Sequence, residues 1–465
     1  MDTVVVGAGP TGLVSAVALA RRGHRVSLVD NDPGPGDAEH WSRRGVMQFH
    51  HPHGFRPQAI DVIRAEMPEA FDALLAHGAV AFAPDGVPAG DEVPPGSGLR
   101  CRRMVVEREL RRVAEDEPGV TRIRGRADAV LGARGRATGV RLRDGSVEGD
   151  LVLVATGRTA SLADDLRPSG DSVDCGLAYV SRQYRLQPGA EPGPITSVIG
   201  AVAEHAGYIV IVFRHDAGTF STLIARPSAD RRLAALRHEA AWTAAATAIP
   251  LLATWTDPAR AAPISPVLPG GRLHNTYRGQ LDARGRVPLP GVVFVGDSVC
   301  TTNPTAGRGV STSLMQVEHL LALLDDGGSD PEGLTLAQDA WCGDHIRPWF
   351  LDHLATDAAQ TARWAGEDVD PARPPTSDLV VSATAVDPSL MAVVGPYLAM
   401  RALPDSLTAV HPRVQEIYAS GWRPPVAAGP SVDELAGIVG AAAGAAAPDV
   451  PAAPAAPDTP ARALA

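Results

Sequence analysis

The chain opens Met1-Asp-Thr-Val-Val-Val-Gly-Ala-Gly-Pro-Thr-Gly12 and continues Leu-Val-Ser-Ala-Val-Ala-Leu-Ala20. A short apolar run, Thr3 to Val6, leads into Gly7-x-Gly9-x-x-Gly12, and an Ala/Leu/Val-rich helix follows without a break. Each glycine answers a separate demand. Gly7 makes the tight turn, Gly9 lets backbone approach a diphosphate, and Gly12 lets helix pack closely on strand. The helix start at Pro10 and Thr11 adds unpaired N–H groups and the positive end of a dipole. A second strand, Arg25-Val-Ser-Leu-Val-Asp30, ends in an acid about 20 residues beyond the glycines, where a ribose hydroxyl needs an acceptor. Strand, glycines, helix, strand and acid in that order predict a βαβ unit that binds a dinucleotide.

At 465 residues the chain has room for two or three domains. A net charge of −11, with no basic cluster interleaved with aromatics, excludes a nucleic-acid surface. No run of eighteen or more apolar residues occurs, so no membrane span is expected. The first strand begins almost at Met1, leaving no place for a secretory leader. Cys101, Cys175, Cys300 and Cys342 are far apart and form no CxxC pair, which fits reduced thiols in a cytoplasmic protein. All 42 basic residues are arginine and none is lysine. Any mechanism that needs a lysine ammonium or a Schiff base is therefore excluded.

The predicted fold class is α/β: a discontinuous Rossmann-like domain, an inserted sheet-plus-helix substrate domain and a C-terminal helical region. The first comprises residues 1–75, 100–168 and 286–330; the second comprises 76–99 and 169–285; the third runs from 331 to 440. Helices are expected at 58–67, 69–77 and 105–117, and strands at 120–123, 127–131, 137–142 and 149–155. Residues 83–99 are turn-rich and read as an exposed loop. Residues 207–213 and 220–225 flank His215-Asp-Ala-Gly218 as a hairpin, and 231–247 read as helical. Residues 441–465, rich in Ala and Pro, are expected to be disordered.

A second signature lies far downstream. The buried strand Val292 to Val295 runs into Gly296-Asp297, then Asn303-Pro304, then Gly307-Arg308-Gly309-Val310 at a helix start. Asp297 can accept hydrogen bonds from ribitol hydroxyls. Backbone N–H groups at Gly307 to Val310 can face the N1/O2 edge of an isoalloxazine and stabilise charge on a reduced ring. The paired signatures predict FAD.

With these residues in view, the sequence resembles the FAD-dependent aromatic hydroxylases, the p-hydroxybenzoate hydroxylase superfamily of group A monooxygenases. It is more similar still to their squalene-epoxidase-like and polyether-epoxidase-like branch. Arg44-Gly-Val-Met-Gln-Phe-His-His-Pro-His53 resembles the branch's Arg-x-Gly-x-x-Gln-x-x-His-x-His segment, and Arg103-Met-Val-Val-Glu107 its Arg-x-x-Leu-Glu. Val154-Ala-Thr-Gly-Arg-Thr-Ala-Ser161 resembles Asp-Ala-Ser-Gly-Arg-x-Ser, and Gly296 to Gly309 resembles Gly-Asp-Ala … Asn-Pro-x-x-Gly-x-Gly.

The resemblance implies a monooxygenase that inserts one atom of O2 into a small organic molecule through a C4a-hydroperoxyflavin, by hydroxylation or epoxidation. It implies Gly7, Gly9, Pro10, Thr11, Gly12, Asp30, Arg44, Arg103, Ala127, Gly157, Gly296 and Asp297 as cofactor-binding residues. Pro304, Gly307, Arg308, Gly309 and Val310 complete the set, with the backbone of Pro304 and Gly307 at the ring edge and no side-chain acid or base assigned. The electron source is NADPH, NADH or reduced flavin from a partner reductase. Val-Ala-Thr-Gly157 replaces the hydroxylases' Gly-Ala-Asp-Gly, which counts against direct NADPH binding.

A dehydrogenase or reductase on the same fold, acting without oxygen insertion, is the alternative. A non-catalytic FAD-binding sensor is disfavoured by the intact Gly-Asp and Asn-Pro-x-x-Gly-x-Gly segments. Flavin-dependent halogenases share the fold, but their chemistry resembles a lysine-assisted hypohalite transfer. With no lysine and no Trp-x-Trp-x-Ile-Pro segment, the sequence reads against that branch. His50, His51 and His53 read as a loop beside the flavin or substrate rather than a metal site, for want of a further ligand at a suitable spacing.

Overall fold

The opening strand, Asp2–Val6, lies at the centre of a five-stranded parallel sheet. The sheet order is Val292–Phe294, Leu151–Val154, Asp2–Val6, Arg25–Asp30 and Val120–Arg124. Both faces are covered, so these strands read as unbroken apolar runs rather than as alternations. Val5, Leu28, Leu153 and Val293 point into one cluster, and Val4, Val6, Val29, Val152 and Val154 into another on the opposite face. The computed structural model describes residues 1–36, 41–83, 93–158, 161–327 and 330–446.

From Asp2–Val6 the sheet grows outward through Arg25–Asp30 to Val120–Arg124, then reverses to Leu151–Val154 and Val292–Phe294 on the other side. The reversal falls between Asp2–Val6 and Leu151–Val154. In an open parallel sheet, that switch point leaves a crevice beyond the carboxyl ends of the two strands. The glycines close its floor. Gly7 adopts φ +107°, and a Cβ there would lie 2.4 Å from the carbonyl oxygen of Ala155. On helix Pro10–Arg21, a Cβ at Gly12 would lie 1.8 Å from the Gly7 carbonyl oxygen.

A second, antiparallel sheet covers the crevice. Its order is Gly200–His205, Tyr208–Arg214, Thr219–Pro227, Leu177–Leu186 and Ala261–Pro263, with Leu268–Gly270 also paired to Leu177–Leu186. Period-two alternation sorts its side chains. Val180, Val210, Val212 and Ile224 face Trp242, Leu252 and Trp255 of helices Glu239–Ala248 and Pro250–Thr256. Tyr179, Ile211, Phe213 and Leu223 face the other way and share a cluster with Leu273 and Met47.

Two expectations change here. The described residues of 76–99 do not join this sheet. Val80–Phe82 pairs with Gly98–Arg100, and Ala79, Ala81, Val93 and Leu99 pack into the cluster that holds Val5 and Leu13. Their apolar side chains complete the core beneath helices Pro57–Glu66 and Pro68–Ala76. Most of the expected exposed loop, residues 84–92, lies outside the described residues.

The C-terminal tail differs as well. Helix Val432–Ala446 includes the first residues expected to be disordered, and Leu435 and Val439 bury against Trp242. The apolar stripe Leu435, Val439 and Ala443 seats the helix and carries it into the Ala-rich stretch. Residues 447–465 lie outside the described residues. Elsewhere, helices Arg347–Trp364, Ser377–Ala383, Met391–Leu398 and His411–Ala419 pack around Trp349, Val394 and Tyr397. Among the described residues no helix is long and apolar enough to cross a membrane.

Candidate active site

One cleft joins both loops that the sequence singles out. Gly7, Gly9, Pro10, Thr11 and Asp30 line one end; Asp297, Pro304, Gly307, Gly309 and Val310 line the other, with Arg103 and Gly157 also on its walls. Tyr179, Phe213, Leu273 and Met47, from the antiparallel sheet and its neighbours, form an apolar wall opposite the second loop.

At the first end, Asp30 is held rigidly. Its Oδ2 accepts hydrogen bonds from the Ala8 N–H at 2.6 Å and from Arg43 Nη2 at 2.9 Å, and its Oδ1 accepts one from the Asp32 N–H at 2.7 Å. Arg43 also donates to Glu107 Oε2 at 2.7 Å. Glu107 in turn accepts from Arg103 Nε one turn earlier on helix Arg103–Asp116, and Arg103 Nη1 meets His53 Nε2 at 3.3 Å. A buried chain of alternating charge therefore runs from Asp30 to His53, and each carboxylate has a partner.

At the second end, Asp297 follows the strand Val292–Phe294 and is lodged in the cleft. Its carboxylate has no hydrogen-bond donor among the described residues. Burial raises its pKa, an effect that Arg103 and Arg158 oppose. The loop that follows is built by its own side chains. Asn303 Oδ1 accepts from the Thr305 N–H at 3.0 Å and from Thr305 Oγ1 at 2.9 Å, and Gly307 turns the chain at φ +64°. Helix Gly309–Asp325 then begins with no side-chain cap. Its first residues, Gly309 and Val310, line the cleft, and nothing stands within 4 Å of where a Gly309 Cβ would be.

These features fit an FAD molecule. An extended anionic cofactor needs uncapped helix starts, and both helices that open on the cleft, Pro10–Arg21 and Gly309–Asp325, lack side-chain caps. It needs close backbone approach. A Cβ at Gly9 would meet only Arg43 Nη1 at 3.7 Å, one at Gly307 only the Gly54 carbonyl at 3.7 Å, and one at Gly157 nothing within 4 Å. The unpartnered Asp297 carboxylate would be free to accept from ribitol hydroxyls.

Several sequence expectations shift in place. Arg44 is exposed and outside the cleft; Arg43, its neighbour, is the buried arginine on the cleft wall. Of the Arg-Arg pair the structure brings Arg43 to the cleft and not Arg44, a distinction that no spacing in this segment could make. Ala127 sits in strand Ala127–Ala133, packed toward Val140 and Val147 rather than facing the cleft. Arg308 turns away into the C-terminal helices, pairs with Asp352 at 2.6 Å and hydrogen-bonds Tyr397. Gly12 and Gly296 stand behind the lining, where they allow close packing: a Cβ at Gly296 would lie 2.9 Å from Thr11 Oγ1.

The histidine loop lies on the cleft. His51 Nδ1 is 2.8 Å from Ser181 Oγ, and its ring meets Tyr179 edge-on. His53 Nδ1 donates to the His51 carbonyl at 2.9 Å, which leaves Nε2 to accept from Arg103. Burial lowers the pKa of His51 to about 4 and that of His53 well below its ordinary value, so both rings are neutral near pH 7. Among the described residues no three His, Cys, Asp or Glu side chains are grouped to hold a metal. Sequence reasoning missed Tyr179, Phe213 and Arg158 as cleft residues. Only the sheet register brings Tyr179 and Phe213 there, and the run Tyr-Ile-Val-Ile-Val-Phe213 reads alike for either face, whereas Arg158 simply follows Gly157 in the loop after Leu151–Val154.

Comparison with known proteins agrees with this architecture. A model described as an NAD(P)-binding Rossmann-like domain matches residues 5–64, and one described as tryptophan halogenase matches residues 97–371. The Mycobacterium tuberculosis protein Rv3254 is 27% identical over 380 residues, 71% of this chain and 74% of its own length. D-amino acid dehydrogenase 2 of Ralstonia nicotianae is 43% identical over 49 residues only, 10% of this chain and 12% of that relative.

Among solved structures, the flavin-dependent brominase Bmp2 superposes with a TM-score of 0.62 at 14% identity, over 91% of this chain and 100% of Bmp2. PqsL, a probable FAD-dependent monooxygenase from Pseudomonas aeruginosa, superposes with a TM-score of 0.54 at 18% identity, over 79% of this chain and 98% of PqsL. Both likenesses concern the fold. The sequence reading set the halogenase branch aside for lack of lysine and of a Trp-x-Trp-x-Ile-Pro segment, and the family match overturns that as a statement of kinship. Since the match spans more than half of its length, the chain belongs to the tryptophan halogenase family of flavin-dependent enzymes.

Proposed function

We propose that the chain is an FAD-dependent monooxygenase that transfers one oxygen atom from O2 to an apolar, electron-rich organic molecule. The observation that carries this reading is the single cleft. The diphosphate loop stands at one end, an uncapped helix start and Asp297 at the other, and an apolar wall faces the second end. FAD, when bound, supplies the redox chemistry and the activation of oxygen.

The residues of this chain have three tasks. Gly9, Thr11, Arg43 and Asp30 hold the adenosine diphosphate half. Asp297 accepts from the ribitol chain, while the N–H groups of Gly309 and Val310 offer fixed dipoles to negative charge at the ring edge. Tyr179, Phe213, Leu273 and Met47 seat the substrate and keep water from the reacting atoms. No side-chain acid or base is required, which agrees with neutral, internally hydrogen-bonded His51 and His53.

Family kinship favours a second reading, halide oxidation. This chain offers no lysine ammonium to carry an oxidised halide, so oxygen transfer to carbon is the better account. Reducing equivalents come from NADPH, NADH or reduced flavin delivered by a separate reductase. The decisive experiment mixes the yellow protein anaerobically with NADPH and with NADH, then admits oxygen and an alkene or phenol panel with bromide present. The expected outcome is a product heavier by one oxygen that carries the label of heavy O2. A brominated product would replace this reading with the second, and turnover of substrate without oxygen uptake would replace it with a dehydrogenase.

A further inference from the structure

The loop Asn303–Arg308 is tied at both ends to one helix outside the cleft. At its start, Asn303 Nδ2 donates to Asp357 Oδ1 at 2.7 Å. The other oxygen of Asp357 accepts from Asn275 Nδ2 at 2.7 Å, and Asn275 Oδ1 accepts from the Asn303 N–H at 2.7 Å. Two carboxamides and one carboxylate thus close a ring of hydrogen bonds around the residue that opens the loop. At its end, Arg308 Nη1 reaches Asp352 Oδ2 at 2.6 Å, and Tyr397 donates to the same oxygen at 2.8 Å. The Arg308 guanidinium lies beside the stacked Trp349 and Tyr397 rings, 4.8 and 5.0 Å from their centroids. Asp352 and Asp357 both belong to helix Arg347–Trp364. Midway along the loop, the half-buried Arg56 donates to the Ala306 carbonyl at 2.6 Å and also to the Leu398 carbonyl of a second C-terminal helix.

This arrangement does more than pack a domain. Asn303 and Arg308 bracket Pro304 and Gly307, the residues on the cleft wall, and neither end is fixed by the parallel sheet itself. Hydrogen bonds to a charged group are among the strongest a chain makes, enough to hold a short loop in one arrangement. We propose that Asp352 and Asp357 are positioning residues through which helix Arg347–Trp364 sets the place of the ring-side loop, and so the electronic environment of the flavin. The proposal rests on the reading of residues 303–310 as the flavin-ring loop.

The test uses the full chain. Asp352→Asn, Asp357→Asn, the exchange Asn303→Asp with Asp357→Asn, and Leu351→Ala as a control on an exposed position of the same helix are compared with the wild type for FAD affinity, flavin absorption band and midpoint potential. The exchange restores every donor and acceptor of the Asn303–Asp357 pair with the roles reversed. Each single Asp variant is expected to bind FAD about tenfold or more weakly, as loss of one charge-assisted bond requires, and to shift the flavin band and potential. The exchange is expected to return all three readouts to wild-type values, and Leu351→Ala to leave them unchanged.

Single variants that lose thermal stability yet keep the wild-type band and potential would overturn the proposal, showing a role in packing alone. An exchange that folds but keeps the altered signature of Asp357→Asn would overturn it too, and so would one that fails to fold. A wild-type chain that binds no FAD would instead overturn the reading of the cleft.

Discussion

Arg43→Ala is expected to release FAD and to destabilise the chain by about 3–5 kcal/mol, the usual cost of leaving buried charges without their partner. Arg43 stands between two carboxylates. Its side chain is 7% exposed, that of Asp30 is 7% exposed and that of Glu107 is 0% exposed. Removing it leaves Asp30 with backbone donors only, beside Asp32, in the crevice that is to receive a diphosphate. Glu107 keeps Arg103 as a partner, so the loss concentrates at the adenosine end. Arg44→Ala, one residue along and exposed, is expected to change neither quantity by more than about 0.5 kcal/mol. Chemical unfolding and the visible absorbance retained after gel filtration measure both. Greater damage from Arg44→Ala than from Arg43→Ala would show that the buried arginine has been misassigned.

The second large effect separates two glycines of one motif. A Cβ at Gly12 would lie 1.8 Å from the carbonyl oxygen and 3.0 Å from the carbonyl carbon of Gly7, both backbone atoms that no rotamer change can move. Gly12→Ala must therefore part helix Pro10–Arg21 from the strand before it. An overpacking cost of about 3 kcal/mol or more is expected, together with loss of FAD. Gly9 is different. Its Cβ would meet only Arg43 Nη1 at 3.7 Å, so Gly9→Ala should leave the apo chain folded with an unchanged melting temperature while weakening FAD strongly. Calorimetry with and without added FAD distinguishes them. Equal loss of apo stability in the two variants would mean that Gly9 faces protein rather than cofactor.

Much of this arrangement was legible in the chain because its physics is local. A turn with φ +107°, a helix start that must stay uncapped and an acid at the end of the next strand each leave a mark within 30 residues. Asp297 and Gly307 were legible for the same reason. What escaped was set by distant contacts. Tyr179 and Phe213 reach the cleft because Leu177–Leu186 and Tyr208–Arg214 each pair with Thr219–Pro227 in one particular register, and a slip of one residue would present the opposite side chains.

The roles of Arg43 and Arg308 also depended on partners 64 and 44 residues away, Glu107 and Asp352. Neighbouring arginines are chemically equivalent until burial distinguishes them. Kinship with the halogenases was equally hidden, because the sequence reading weighed a catalytic lysine and one short segment. The family match rests instead on the whole stretch from 97 to 371.

The central claim is that one FAD spans both loops of one cleft. Titration of the flavin-stripped chain with FAD, followed by competition with ADP and with riboflavin, tests it most directly. One equivalent of FAD is expected to bind, with ADP and riboflavin each displacing it and each still able to bind alongside the other. A chain that takes up no FAD, or one in which ADP and riboflavin exclude each other, would contradict two half-sites joined end to end.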